Sequence, residues 1–233
     1  MYSSDKSISN ITTLSTYLSS VFRYMAGGLC ITAFISYFTI QSPTFMASLI
    51  NNPFLYIALL VIEVVVAMYL SLRISTFSAQ KATTIFILYS ALNGITLAPL
   101  LFFYTGASVV KTFFICAGMF GAMSIYGHST KRDLTSWGSF LFMGLIGIII
   151  ASLANFFFKS SAVNAAITYI GVFIFLGLTA YDVQKLKEFG QNMPTDNPTV
   201  AHRGIILGAL TLYLDFINLF IYLLRIFGNL RDE

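Results

Sequence analysis

Long apolar stretches separated by short polar connections dominate the pattern along this chain. A helix of about 20 mostly apolar residues is long enough to cross about 30 Å of hydrocarbon. Seven windows meet that requirement, over residues 22–40, 53–72, 83–103, 108–127, 136–158, 163–181 and 204–227. The pattern predicts an all-α polytopic membrane protein with six clear spanning helices and a seventh that carries a buried carboxylate.

The polar connections are short, so the windows predict a single membrane domain over residues 22–228. A polar segment, residues 1–21, precedes it, and a short tail, residues 229–233, follows it. Residues 41–52 and 190–198 contain prolines and asparagines, which are typical of turns that end helices. The first window lacks a small-residue cleavage site, and we therefore interpret it as a retained helix and not a signal peptide.

Composition supports the membrane assignment and excludes several classes. Charged residues make up 9% of the chain and hydrophobic residues 57%, whereas soluble domains are about 25% charged. The longest basic run is Lys131-Arg132, so no nucleic-acid partner is expected. Cys30 and Cys116 lack a Cys-x-x-Cys spacing, which favours two small packing residues over a disulfide or a metal site.

The distribution of basic residues predicts that the N-terminus lies in the cytoplasm. With that orientation nine of the thirteen Lys and Arg residues fall on the inner side, as membrane proteins prefer: Lys6, Arg23, Arg73, Lys81, Lys131, Arg132, Lys185, Lys187 and Arg203. The C-terminus then lies outside if the seventh segment spans, and inside if that segment is re-entrant.

Three carboxylates fall within or beside the apolar windows, where an ionisable group is costly unless it has a partner or water. Glu63 lies near the middle of the second window, Asp182 at the inner end of the sixth, and Asp215 within the seventh. Asp215 has no basic residue within nine positions on either side, so its partner must come from another helix. It is the most informative residue in the chain.

Asp182 and Asp215 are predicted to meet if the sixth and seventh helices run antiparallel and Asp182 lies somewhat inside the interface. Two like charges in a poorly solvated site do not both ionise easily, so such a pair would titrate as a unit and act as a proton-sensitive switch. Purely structural interpretations stay open. Asp182 can be a solvated interface residue, and Glu63 and Asp215 can be neutral, hydrogen-bonded packing residues. Arg73 can extend to the interface and pair with neither aspartate.

Three strings of the chain resemble a known family. They are LYSALNGITLAPLLFFYTG at 88–106, AYDVQKLKEFG at 180–190 and LYLDFINLFIYLLRIFG at 212–228. In this order, and on the third, sixth and seventh helices, they are similar to the Bax-inhibitor family of membrane proteins, in its bacterial branch. The resemblance covers nearly the whole chain after the first helix.

The resemblance implies two three-helix halves around a central seventh helix and activity as a pH-dependent calcium leak, with no enzymatic activity and no cofactor. It implies that Asp182 and Asp215 form the proton sensor, and that their oxygens are also the calcium ligands. Arg73 lies where the family's latching arginine is expected, and Glu63 is a candidate pore-lining acid. A bacterial inner membrane follows as the location. The family's links to cell-death suppression and to a membrane-bound protease suggest a regulatory partner.

The resemblance also supplies a gating hypothesis. When the pair is ionised, Arg73 is held by one carboxylate and the second helix covers the pore; protonation frees that helix, so acid opens the path. Calcium prefers hard oxygen ligands, and protons and calcium therefore compete for the same carboxylates.

Two other classes of function compete with a channel. An intramembrane aspartyl protease also uses two aspartates, but its Gly-x-Gly-Asp signature is replaced here by Leu-Tyr-Leu-Asp, residues 212–215. A non-conducting regulator that docks on a membrane protease or a channel is the second alternative. His128 and His202 are predicted to lie in loops, without the spacing of a metal site.

Overall fold

The computed structural model describes residues 2–192 and 197–231, with side chains from residue 14 onward. The longer helices are α1 (Tyr2–Ile40), α3 (Pro53–Arg73), α4 (Ala79–Phe102), α5 (Gly106–Ser129), α6 (Thr135–Phe158), α7 (Ser161–Gln191) and α8 (Pro198–Phe227). A short helix α2 (Pro43–Asn51) follows α1, and a 3-10 turn (Ile74–Thr76) follows α3. Within these described residues, seven helices are long and apolar enough to span a membrane. The predicted all-α polytopic class is confirmed.

Several helix ends differ from the predicted windows. The helix α1 begins at Tyr2, well before the first window at residue 22. The helix α7 continues to Gln191 and α8 begins at Pro198, so their windows were too short. Hydropathy detects only the part of a helix that hydrocarbon would cover, whereas backbone hydrogen bonds carry the helix into polar sequence. Residues 193–196 of the predicted loop lie outside the described residues, as do Met1 and the last two residues of the tail.

The predicted connection at 41–52 also contains a helix. Pro43 occupies the first turn of α2, where its fixed φ and missing N–H are tolerated. Met46 and Leu49 are buried, 3% and 2% exposed, and they lie three residues apart on one face. The segment is therefore a packed amphipathic helix and not a simple turn.

The chain divides into two compact units. The first comprises residues 1–104 and 189–213, and the second comprises residues 105–188 and 214–233. Three spanning helices, α1, α3 and α4, belong to the first unit, and α5, α6 and most of α7 to the second; α8 contributes residues to both. The two predicted three-helix groups therefore fall in different units, and the central position of the seventh helix stays a prediction.

In the first unit, α1 packs against α4 with the two backbones close together. A Cβ on Gly28 would lie 2.7 Å from Cζ of Phe86, and a Cβ on Gly94 would lie 2.8 Å from the Thr32 carbonyl oxygen. The Ser36 hydroxyl donates a 2.7 Å hydrogen bond to the Gly94 carbonyl. Small residues allow such approach in lipid, where no hydrophobic force drives helices together.

In the second unit, glycines on α5 and α6 provide equally close contacts with α7. A Cβ on Gly127 of α5 would overlap the Ala180 carbonyl oxygen, and a Cβ on Gly138 of α6 would overlap the Tyr181 ring. These contacts fix α7 at the residues immediately before Asp182.

Candidate functional site

The second unit brings Asp182 and Asp215 together. Asp182 lies on α7, nine residues before the end of that helix, and Asp215 lies past the middle of α8. Their carboxyl groups are within hydrogen-bonding reach of each other. Asp215 is 5% exposed, while Asp182 is half-buried. The predicted proximity of these two residues is therefore present in the structure, and Asp182 is part of the helix body and not of its end.

The surroundings of Asp215 in this unit are apolar. Its neighbour Phe216 packs against Phe113 and Phe120 of α5, with ring centroids 5.5 Å and 5.4 Å apart. The Cys116 thiol, also on α5, lies 3.7 Å from the Phe216 carbonyl oxygen. Asp215 Oδ2 is buried and receives no hydrogen bond from the part of the chain that the structure describes. A second negative charge here would have little solvation.

Ionising both of two neighbouring carboxyl groups in a poorly solvated site is unfavourable, and a shared proton or a bridging cation would relieve that cost. Titration of the pair as a unit stays a prediction. Among the described residues, no third His, Cys, Asp or Glu joins them to complete a group able to hold a metal ion. The predicted role of Asp182 and Asp215 as calcium ligands stays a prediction.

In the first unit, Glu63 is turned inward from a helix that is otherwise mostly exposed. It is 8% exposed, and Leu70 is the other buried residue of α3. Thr96 Oγ1 donates a 2.7 Å hydrogen bond to Glu63 Oε2, and the Asn93 amide donates to Oε1. The Tyr89 side chain also hydrogen-bonds to this carboxyl. Glu63 is thus a hydrogen-bonded buried acid, and a role in lining a pore stays a prediction.

The partners of Glu63 were missed at the level of sequence, although a signal was present. Tyr89, Asn93 and Thr96 lie at positions i, i+4 and i+7 of α4, which places them on one helix face. Polar residues at that spacing inside an apolar span indicate a buried partner on a neighbouring helix. All three fall inside the string 88–106 that carries the family resemblance.

A second polar contact in the first unit joins α1, α4 and α8. The Thr32 hydroxyl lies 2.6 Å from the Tyr213 hydroxyl and 2.8 Å from the Ser90 carbonyl oxygen. Thr32 is 2% exposed and Tyr213 is completely buried. This contact anchors the first part of α8 within its unit.

The arginine and the two histidines considered in the sequence are exposed or partly exposed. Arg73 is the last residue of α3 and its side chain is exposed; its role as a latch stays a prediction. The prediction that both histidines lie in loops was wrong. His128 lies in the last turn of α5, and His202 lies in α8, where its Nε2 is 2.8 Å from Thr83 Oγ1.

Comparison with known proteins identifies the family. Residues 14–232 match the family described as inhibitor of apoptosis-promoting Bax1. The chain is similar to the inner membrane protein YbhL of Escherichia coli, with 50% identity over 218 residues that cover 94% of this chain and 93% of that protein. It is 45% identical over 217 residues to a protein of Borreliella burgdorferi, covering 93% of each chain. It is 43% identical over 219 residues to the protein RP147 of Rickettsia prowazekii, covering 94% and 92%. The chain is therefore a multi-pass membrane protein that belongs to the Bax inhibitor family.

Proposed function

We propose that this protein is a calcium leak channel whose conductance is controlled by protonation of Asp182 and Asp215. The observation that carries the proposal is the contact between these two carboxyl groups, one of them buried among aromatic side chains. Removing the last proton from the pair leaves two like charges in contact in a poorly solvated site, which is unfavourable. Calcium and protons then compete for the same oxygen atoms.

Gating follows from the change in charge. Ionisation of the pair attracts a cationic side chain, the role that the family resemblance assigns to Arg73, and protonation removes that attraction. Acid is therefore expected to increase calcium flux. Because the proton and the ion bind the same oxygens, a higher calcium concentration should move the response to lower pH.

The proposal is tested with purified protein in liposomes that contain a calcium-sensitive dye, with external pH varied. Wild-type protein should give flux that rises on acidification, and Asp182→Asn and Asp215→Asn should each abolish the response. Glu188→Gln is the matched control, because Glu188 is also an acid on α7 but pairs with Lys185 at a partly exposed position. Arg73→Gln is expected to raise flux at neutral pH.

The same assay separates the alternatives. Flux that is absent, or that both asparagine variants leave unchanged, would contradict the channel and leave a non-conducting regulator of a membrane protease or stress response. Cleavage of a helical reporter peptide would indicate an aspartyl protease. The helix α8 is continuous from Pro198 to Phe227, and this argues against a protease, since cleavage chemistry at Asp215 would require an unwound segment there.

A further inference from the structure

A cavity of about 300 Å³ lies in the second unit between the end of α5, the start of α6 and α7. Buried apolar residues, Leu134, Leu141 and Ala180, form part of its lining together with Gly177. The volume is at the lower end of the range for small-ligand sites, which is about 300–1,000 Å³.

The exposed part of the lining is aromatic and basic. Trp137 is 61% exposed and Tyr126 is 43% exposed, and both lie near helix ends, where such residues occupy the membrane–water interface. Arg132 and Asp133 also line the cavity, and both are exposed. The cavity therefore joins an apolar interior to a charged opening at the level of lipid headgroups.

The loop that carries Arg132 is held in place by a buried side chain of α7. Gln184 Nε2 donates a 2.8 Å hydrogen bond to the Arg132 carbonyl, and Gln184 Oε1 accepts a 2.8 Å hydrogen bond from the Leu134 amide. Gln184 is 7% exposed. These two hydrogen bonds fix the backbone of the loop, so Arg132 is already positioned at the opening before a ligand binds.

The acids near the opening already have partners. Asp133 Oδ1 accepts a 2.8 Å hydrogen bond from the Thr135 amide at the start of α6, where a negative charge is favoured by the helix dipole. Hydrogen bonds from the Thr135 hydroxyl and amide hold the pKa of Asp133 below its usual value. Glu188 forms a 2.9 Å ion pair with Lys185.

The basic groups are in excess. Lys131, Lys185 and Lys187 lie in the same loop or on the adjoining part of α7, and Lys187 Nζ donates to the His128 carbonyl at 2.7 Å. The Arg132 guanidinium donates no hydrogen bond to any residue in the described ranges, and its side chain is exposed. It is thus available for an anionic group at the opening of the cavity.

We propose that this cavity binds an anionic phospholipid, with an acyl chain against the apolar lining and the phosphate at Arg132. The guanidinium makes charge-assisted, bidentate hydrogen bonds to phosphate oxygens. Basic pockets between spanning helices select acidic headgroups in the same way. The apolar interior favours a lipid over free phosphate, which would leave that surface empty. The inference is independent of calcium conduction.

Trp137 makes the test direct, because it is the single tryptophan of the chain and lines the cavity. Full-length protein is placed in phosphatidylcholine nanodiscs. Phosphatidylglycerol with brominated acyl chains, which quench tryptophan at short range, is then introduced in increasing fraction. Brominated phosphatidylcholine is the neutral reference, and inorganic phosphate added with unbrominated lipid tests the headgroup alone.

Half-maximal quenching is expected at a roughly fivefold lower fraction of the anionic lipid than of the neutral lipid, the preference that one basic residue near the surface provides. Arg132→Gln should remove the preference, and Arg132→Lys should keep part of it. Lys159→Gln is the matched control, since Lys159 follows the opposite end of α6 and should retain the full preference.

Three results would overturn the assignment. One is equal quenching by the two lipids, which would mean only general contact between Trp137 and the bilayer. Another is equal loss of preference in Arg132→Gln and Lys159→Gln, which would mean attraction to net charge and not to this site. A fluorescence change with inorganic phosphate equal to that with the lipid would also contradict a lipid site.

Discussion

Gly127 is the point where α5 approaches the backbone of α7, and its replacement by alanine tests that packing directly. A Cβ there would overlap the Ala180 carbonyl oxygen and lie 2.9 Å from both the carbonyl carbon and Cα of Ala180. Non-bonded carbon atoms prefer a separation of about 3.5–4.0 Å, so one helix must shift by roughly 0.5–1 Å. All three contacts are with backbone atoms, which cannot rotate away.

The expected cost follows from the size of that overlap. Overpacking of this kind costs about 1–3 kcal/mol. Since about 1 kcal/mol shifts Tm by roughly 2–4 °C in a protein of this size, Gly127→Ala should lower Tm by about 2–12 °C. Gly121→Ala is the matched control, because a Cβ on Gly121, also in α5, meets nothing within 4 Å. Its Tm should stay the same or rise, since alanine favours a helix by up to about 1 kcal/mol.

Thermal unfolding is measured with a thiol-reactive dye on purified protein. Cys116 is buried and becomes reactive only on unfolding, whereas Cys30 is exposed and is replaced by serine in every variant to remove background. Circular dichroism provides an independent Tm. If Gly127→Ala and Gly121→Ala unfold at the same temperature, the close approach of α5 and α7 is refuted. Because Ala180 lies two residues before Asp182, Gly127→Ala should also change the pH response of calcium flux.

Three further results are expected. Thr96→Val removes a hydrogen-bond donor to Glu63 and should destabilise the protein by about 0.5–2 kcal/mol. The loss of stability should be smaller when Glu63 is already replaced by Gln, and an equal loss in both backgrounds would contradict the contact. Gln184→Leu removes two hydrogen bonds to the loop before α6 and should cost about 1–3 kcal/mol in thermal unfolding, whereas an unchanged Tm would mean the loop is held otherwise. Hydrogen bonds from Thr135 lower the pKa of Asp133 in the folded protein. The stabilisation that they provide is therefore complete above the ordinary carboxyl pKa of about 3.9 and is lost as pH falls through the lower pKa of the folded state. Carboxyl NMR measures this pKa, and titration of Asp133 at the ordinary value would contradict the contact.

Hydropathy located the helix ends best where the whole helix is apolar. The second window, 53–72, agrees with α3 to within one residue, because Asn52-Pro53 starts that helix and Arg73 ends it. The end of α7 was missed because Lys185, Lys187 and Glu188 are polar and yet good helix formers. The i,i+3 pair of Lys185 and Glu188 then supports a helical turn that hydropathy does not detect.

The candidate site was predictable in part, and for an identifiable reason. Asp215 has no basic neighbour along its own helix, and burial of such a residue requires a partner from another helix; this requirement pointed to Asp182. The spacing of Tyr89, Asn93 and Thr96 on one face of α4 indicated a buried partner, but it did not specify which helix supplies that partner. Gln184 was missed because a single amide near the end of a span carries no such spacing.

The amino-acid sequence by itself determined that this protein contains seven helices of membrane length, since in lipid the backbone must satisfy its own hydrogen bonds and each span needs enough apolar residues. It also determined that three acids, within or beside the apolar spans, would each require a partner or water. Only the tertiary structure decided which helix faces meet. The carboxyl groups of Asp182 and Asp215 lie side by side because α7 and α8 present them to each other in the second unit. Glu63 is satisfied because α4 presents three polar groups at one helical spacing. Such contacts depend on how each helix is rotated about its axis and shifted along it relative to its neighbours. An apolar sequence is compatible with many such rotations and shifts.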